Sequence, residues 1–149
     1  MGADAGDLPD VNVWLALAAP SHAHHAAARD YGMRPTLPRT WFNRVTTLAL
    51  VRPLCEPKVM GEAKLSLSRA MDVYEHFAGL PEVGFAEEPA SCGGLPAAAT
   101  RSAGRSPRLS TDLYLACFAQ AARLRIVTFD RDFERLDCCA VLRLTPPTR

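Results

Sequence analysis

The sequence predicts an α/β protein, with a mostly parallel sheet of four or five short strands and helices on both faces. Three observations carry this. Short apolar or β-branched runs (from Leu8, at Val83-Gly84-Phe85, at Arg125 to Phe129 and at Ala140 to Leu144) alternate with longer stretches of helical spacing. That alternation marks strand–helix–strand units, whose strands run parallel. No repeat at a fixed period is visible, which sets solenoids aside. The 149 residues suffice for one domain, burying about two-thirds of the surface of its unfolded chain. The expected organisation is a single domain over 1–149, with 1–7 a disordered extension and 89–107 a mobile loop.

Leu8 to Leu17 reads as a short strand and a turn into a helix start. The alanine-rich stretch from Ser21 to Arg34 favours a helix, with Ser21 as its N-cap and Gly32 near its end. Leu37 to Thr40 is the expected second strand. From Trp41 to Leu54, Phe42, Val45, Leu48, Ala49 and Arg52 recur at helical spacing, and Pro53 and Pro57 close the segment. Residues 62–79 form a further helix, with Leu65, Ser68, Met71, Tyr74, Glu75 and Ala78 along one side, ended by Gly79-Leu80-Pro81. Val83 to Phe85 is the third strand. The segment PASCGGLPAAATRSAGRSP is rich in Pro, Gly, Ser and Ala and reads as a loop. Ser110 to Leu124 is a marked helix after a Ser-Thr-Asp start, with Tyr114, Cys117, Phe118 and Ala121 on its apolar side. The run RIVTF is the next strand, Arg131 to Leu136 a short helix, and Ala140 to Leu144 the last strand.

Composition bounds the function. With 48% apolar and 22% charged residues, this is an ordinary globule and not a disordered chain. The longest strongly apolar run, Val13 to Ala19, is far short of the roughly 20 residues of a membrane span. The opening MGADAGD is not a secretory signal. Five cysteines, an odd number without a C-x-x-C pair, fit a reduced cytoplasmic protein. A net charge of +1 excludes a histone-like electrostatic footprint. Arginine supplies 15 of the 17 basic residues, which suits phosphate contacts but also follows from GC-rich coding. Nucleic acid is permitted by the charge and not demanded by it.

The informative residues are acids. Asp10, Asp112 and Asp130, with Asp132 beside the last, stand where strands end or helices begin. Singly, each has a plain structural role: a turn residue, an acid in a first helical turn, a cap. Together they converge, because strand ends and helix starts of an open α/β sheet share one rim. Clustered carboxylates raise one another's pKa values, and a divalent cation such as Mg²⁺ relieves that repulsion. The chemistry such a cluster supports is metal-assisted hydrolysis of a phosphodiester.

The blocks PDVNVWLAL, HAHH, VTTLALVRPL and STDLYLACFAQAARLRIVTFDRDF, in this order and over nearly the whole chain, resemble the PIN-domain ribonucleases of the VapC toxin type. The second block is similar to the branch with a T-x-L-G-F-L-R pattern. The resemblance implies a three-layer α/β/α fold, an acidic metal site and cleavage of RNA with Mg²⁺ or Mn²⁺. It implies the toxin of a type II toxin–antitoxin pair: cytoplasmic, homodimeric, and inhibited by an antitoxin whose C-terminal segment enters the active-site groove. By motif, Asp10 matches the first metal-binding acid, in a D-x-N context that includes Asn12. Asp112 matches the acid at the start of the penultimate helix and Asp130 the acid after the next strand, while Asp132 falls on a further polar position. Arg52 matches the second block, where it would neutralise the acids or contact an RNA phosphate.

Two departures stand out. Ala49 occupies the place where many family members carry a glutamate, which disfavours a second metal and leaves an inert RNA- or antitoxin-binding module as the alternative function. Pro9 precedes Asp10 and is tolerated only at strand ends or edges, so the first strand is expected to be short. A phosphoacceptor domain of the response-regulator type is a third reading; it wants paired acids after the first strand and a late lysine, and Lys58 and Lys64 are the only lysines. His22, His24 and His25 are expected at packing positions or the groove rim, Cys138 and Cys139 in the core, and Trp14 and Trp41 in the core or a dimer face.

Overall fold

In a computed structural model, which describes residues 6–36, 38–93, 101 and 109–146, five short strands lie side by side and all run parallel. They are β1 (Asp7–Pro9), β2 (Thr40–Phe42), β3 (Val83–Phe85), β4 (Arg125–Thr128) and β5 (Val141–Arg143), in the order β3-β2-β1-β4-β5. Between them run α1 (Val11–Ala18), α2 (His25–Gly32), α3 (Arg44–Leu54), the single turn α4 (Pro57–Met60), α5 (Leu67–Ala78) and α6 (Ser110–Ala122). The sheet is wholly parallel, which completes the mostly parallel expectation.

Apolar residues of the strands build the layers. Leu8 and Ile126, partners in register, pack against Leu115 and Phe118 of α6 and against Phe133. Phe42 and Val83 pack with Trp14 of α1, Leu50 and Leu54 of α3 and Ala70 of α5. Val127 joins Val13, Tyr31 and Leu144. Such strands are buried on both faces because crossover helices cover both sides of a parallel sheet.

Several boundaries differ from the sequence reading, each for a local reason. Trp41 and Phe42 belong to a strand, and α3 begins only at Arg44. Asn43 decides this by a capping box: its Oδ1 accepts the Thr46 N–H (2.9 Å), and Thr46 Oγ1 accepts the Asn43 N–H (3.0 Å). The second strand is therefore 40–42; Leu37 lies outside the described residues. α2 begins at His25, four residues later than Ser21. α5 begins at Leu67, capped by Ser66 (3.3 Å to the Arg69 N–H), and the 62–66 stretch expected to lead it is 3₁₀ turn and irregular chain. Arg131–Arg135 is 3₁₀ helix. Of the expected extension 1–7, residues 1–5 lie outside the described residues, and Asp7 opens β1 with 1% exposure, which corrects that boundary. Of the loop 89–107, Ala90–Cys92 is a 3₁₀ turn, and 94–100 and 102–108 lie outside the described residues.

The first strand survives Pro9. β1 pairs with β2 only at Asp7↔Thr40, so the missing donor at Pro9 leaves no gap on that side. On the other side the ladder continues past it, as the Asp10 N–H donates to the Val127 carbonyl (2.8 Å). Gly6 makes the entry possible: its φ is +139°, and a Cβ there would lie 2.2 Å from the Arg39 carbonyl oxygen.

Candidate acidic site at the carboxyl rim of the sheet

The strand order reverses between β1 and β4: the chain builds β2 and β3 on one side of β1, then returns to place β4 and β5 on the other. The crevice at the carboxyl ends of two such strands is where open α/β sheets bind ligands. Asp10 directly follows β1, and Asp130 follows β4 by one residue. Asp112 comes to the same rim in the first turn of α6, because that helix runs back against the strand direction before feeding β4.

Asp10 is 6% exposed and N-caps α1. Its Oδ1 accepts the Val11 N–H (2.7 Å), and its Oδ2 accepts the Thr128 hydroxyl proton (3.2 Å). Burial raises its pKa to about 6, the two hydrogen bonds oppose that rise, and the nearby charge of Asp130 adds to it. Asp112 is raised to about 6 as well, first by burial and then by the carboxylates of Asp10, Asp130 and Asp132. This mutual repulsion shows that the four acids share one field.

Asp130 and Asp132 also have structural duties. Asp130 Oδ1 accepts the Asp132 N–H (2.9 Å) and starts the 3₁₀ turn. Asp132, with its side chain 43% exposed, pairs with Arg135 (3.5 Å). Asn12 sits in the first turn of α1 and reaches across to β4: its Nδ2 donates to Thr128 Oγ1 (3.2 Å), and the Phe129 N–H approaches its Oδ1 (3.4 Å). Arg52 is not brought to the acids. It is exposed on α3 and pairs with Glu56 one turn on (3.1 Å).

The residue missed by the sequence reading is Thr128. Fully buried, its hydroxyl donates to Asp10 and accepts from both the Asn12 side chain and the Asp130 N–H (3.0 Å). One donor and two lone pairs are all that a hydroxyl has, and all three tie the site together. A threonine two residues before an acid at a strand end was the available signal, since such hydroxyls commonly cap the following turn.

Every side chain of the set is an oxygen donor of the kind a hard divalent cation takes, and burial, with the neighbouring carboxylates, holds Asp10 and Asp112 above their ordinary range. Among the described residues, however, no group of three or more His, Cys, Asp or Glu side chains is disposed to hold a metal ion as it stands.

No family model matches the chain. It is similar to Ribonuclease VapC41 of Mycobacterium tuberculosis, in the sequences of two strains (CDC 1551 / Oshkosh and ATCC 25618 / H37Rv). Each is 34% identical over 134 residues, covering 85% of this chain and 90% of the relative. In fold it is similar to VapBC2 from Rickettsia felis, solved bound to a DNA fragment from their promoter, with TM-score 0.68, 11% identity, and 93% and 98% of the two chains covered. FitAcB from Neisseria gonorrhoeae matches with TM-score 0.61, 21% identity, and 91% and 96% covered.

Proposed function

This chain belongs to the VapC-type PIN-domain ribonucleases, and from that premise we propose that it is a metal-dependent endoribonuclease, the toxin of a type II toxin–antitoxin pair. What supports the reading is that Asp10, Asp112 and Asp130 lie along one rim, at the switch point of the sheet, near enough for their charges to act on one another, with Asp10 and Asp112 raised to about 6. Mg²⁺, with Mn²⁺ as a substitute, would be held by these three acids and would supply a more acidic water and charge neutralisation at the phosphodiester. Each Asp10 oxygen already accepts one hydrogen bond, which fixes the carboxylate and leaves a lone pair on each for the rim. Thr128 sets the distance between Asp10 and the Asp130 backbone, and Asn12 holds Thr128 in turn. Asp132 completes the acidic field from the outer side. Because an exposed ion pair is worth little, Arg52 can leave Glu56 for an RNA phosphate.

The partners of this reading are RNA, an antitoxin and a second copy of the chain. The homodimer is supported by an apolar patch between α3 and the starts of α4 and α5, where the exposed Leu48 and Leu67 flank Cys55 and Pro57. Five free cysteines suit a reducing cytoplasm, and no helix among the described residues is long and apolar enough to cross a membrane.

One observation favours a second reading. α3 carries no acid from Arg44 to Leu54, and Ala49 stands where many relatives have a glutamate. A weak or inert domain that binds RNA or antitoxin would tolerate that loss. Incubating structured RNA with the protein in Mg²⁺ or Mn²⁺ decides between them, with Asp10→Asn and Asp112→Asn as controls. Cleavage that survives both substitutions, or that never appears in either metal, sinks the nuclease reading.

A further inference from the structure

The turn between α1 and α2 and the start of α2 hold three histidines that the acidic site does not use. His25 is anchored, its Nδ1 lying 2.7 Å from the Ala16 carbonyl oxygen. His24 lies flat on Phe129, ring centres 4.5 Å and planes 21° apart. His22 leans on His24, with centres 5.6 Å apart, and its Nδ1 accepts the His24 backbone N–H (3.1 Å). The rings of Phe129, His24 and His22 make a strip that starts at the residue between Thr128 and Asp130. Each of them is half-buried, so each is seated on the protein and still presents surface.

Resting on the ribonuclease reading, we propose that Phe129, His24 and His22 form a stacking strip that receives an unpaired nucleobase of the RNA beside the cleaved phosphodiester. Four carboxylates share the rim and the whole chain carries a net charge of only +1, so attraction for phosphate cannot supply the affinity. Flat rings can, because single-stranded RNA presents bases that stack on aromatic side chains with little regard to sequence. The rings are also suited by charge. Burial and the neighbouring His24 and His25 lower the pKa of His22, which favours its neutral form. His24, the middle ring, lies flat on Phe129 and meets His22 at a tilt, planes 53° apart, so its orientation is set before any ligand arrives. Phe129 in turn packs against the core cluster of Val13, Tyr31, Val127 and Leu144. The strip is therefore held at the same end of β4 as Asp130.

The test uses the full chain and short single-stranded RNAs carrying the fluorescent base 2-aminopurine at one position each, without added divalent cation. Stacking predicts quenching at one position or two adjacent ones. It also predicts that His24→Ala abolishes the quench and weakens binding about tenfold, that His24→Phe restores both, and that His22→Ala has a smaller effect of the same kind. Should His24→Ala fail to fold, as read by its thermal melt, His22→Ala and His24→Phe carry the comparison. Equal quenching and affinity in wild type and His24→Ala would overturn the strip, as would a substitution that weakens only a protein partner and leaves RNA binding unchanged. A wild type that quenches one position but never cleaves in Mg²⁺ or Mn²⁺ keeps the strip and removes the nuclease reading. Cleavage with unchanged KM in His24→Ala does the reverse.

Discussion

Two aspartates three residues apart, at the two ends of β1, meet opposite fates. Asp7 at the amino end is 1% exposed, and Asp10 at the carboxyl end 6%. Asp7 is fully matched: the Arg125 guanidinium donates to both its oxygens (2.9 and 3.1 Å), and the Tyr31 hydroxyl donates to Oδ2 (2.7 Å). Burial, and then the charge of Asp7, push the Tyr31 phenol well above its usual range, so it stays a donor. Asp10 receives only neutral donors, burial raises its pKa, and the Asp130 carboxylate adds to that rise. A buried acid with its cation is a brace between strands, whereas a buried acid among acids holds repulsion that the fold itself does not relieve. That contrast separates a paired acid from an unpaired one more sharply than burial does.

The contrast breaks if removing Asp7 is harmless. Asp7→Ala strips a buried carboxylate from Arg125 and Tyr31 and is expected to cost roughly 3–5 kcal/mol in a denaturant titration. A change below about 1 kcal/mol would mean that the brace contributes little. Asp10→Asn is expected to do the opposite on the two readouts. It lowers RNA cleavage by at least about a hundredfold, as loss of a metal ligand should, while its melting temperature equals or exceeds that of the wild type because one unpaired buried charge is gone. A fall in stability like that of Asp7→Ala would erase the distinction.

Acidity sharpens it. The folded pKa of Asp10 is about 6 against an ordinary 3.8, so the folded chain binds a proton more tightly than the unfolded one. The corresponding stability is fully present below about pH 4 and is lost as pH rises through about 6, on the order of 3 kcal/mol for the whole shift. Asp112, less deeply buried, acts in the same direction. Thermal melts should therefore fall between pH 5 and pH 8, and Mg²⁺ should raise the melting point more at pH 8 than at pH 5. A pH-independent melt, or equal shifts by Mg²⁺ at both values, contradicts the electrostatic account of the rim.

Smaller effects follow from the residues between the two aspartates and beyond. Thr128→Val removes one donor and two acceptor contacts and is expected to cost about 1–3 kcal/mol; a drop in cleavage with stability unchanged would place its role in orientation alone. Arg52→Ala, which removes only an exposed pair with Glu56, should change stability by less than about 1 kcal/mol, and any loss of cleavage should appear in KM rather than kcat.

Asp10, Asp112 and Asp130 were legible because each sits at a local signal, a strand end or a helix start, and the family motifs cover them in order. Asp7 was not, and the reading that placed 1–7 in a disordered extension dismissed it. Its partners Tyr31 and Arg125 lie 24 and 118 residues away, and nothing local marks them. Thr128 was passed over for the same reason: two of its three bonds reach back 116 and 118 residues, to Asn12 and Asp10. The start of α3 erred differently. Helical spacing ran on through Trp41 and Phe42, and the Asn43–Thr46 capping box, although local, outranked it.

By itself the sequence determined the alternation of strands and helices and the chain positions of the acids, because side-chain period, caps and turn residues act over a few residues. Only the tertiary structure decided which acid is paired with a cation and which faces another acid. Setting β4 beside β1 puts Arg125 opposite Asp7 at one rim and leaves Asp10 facing Asp130 at the other. Whether a charge is paired or opposed depends on which strand becomes the neighbour, and that is settled by packing across the whole chain.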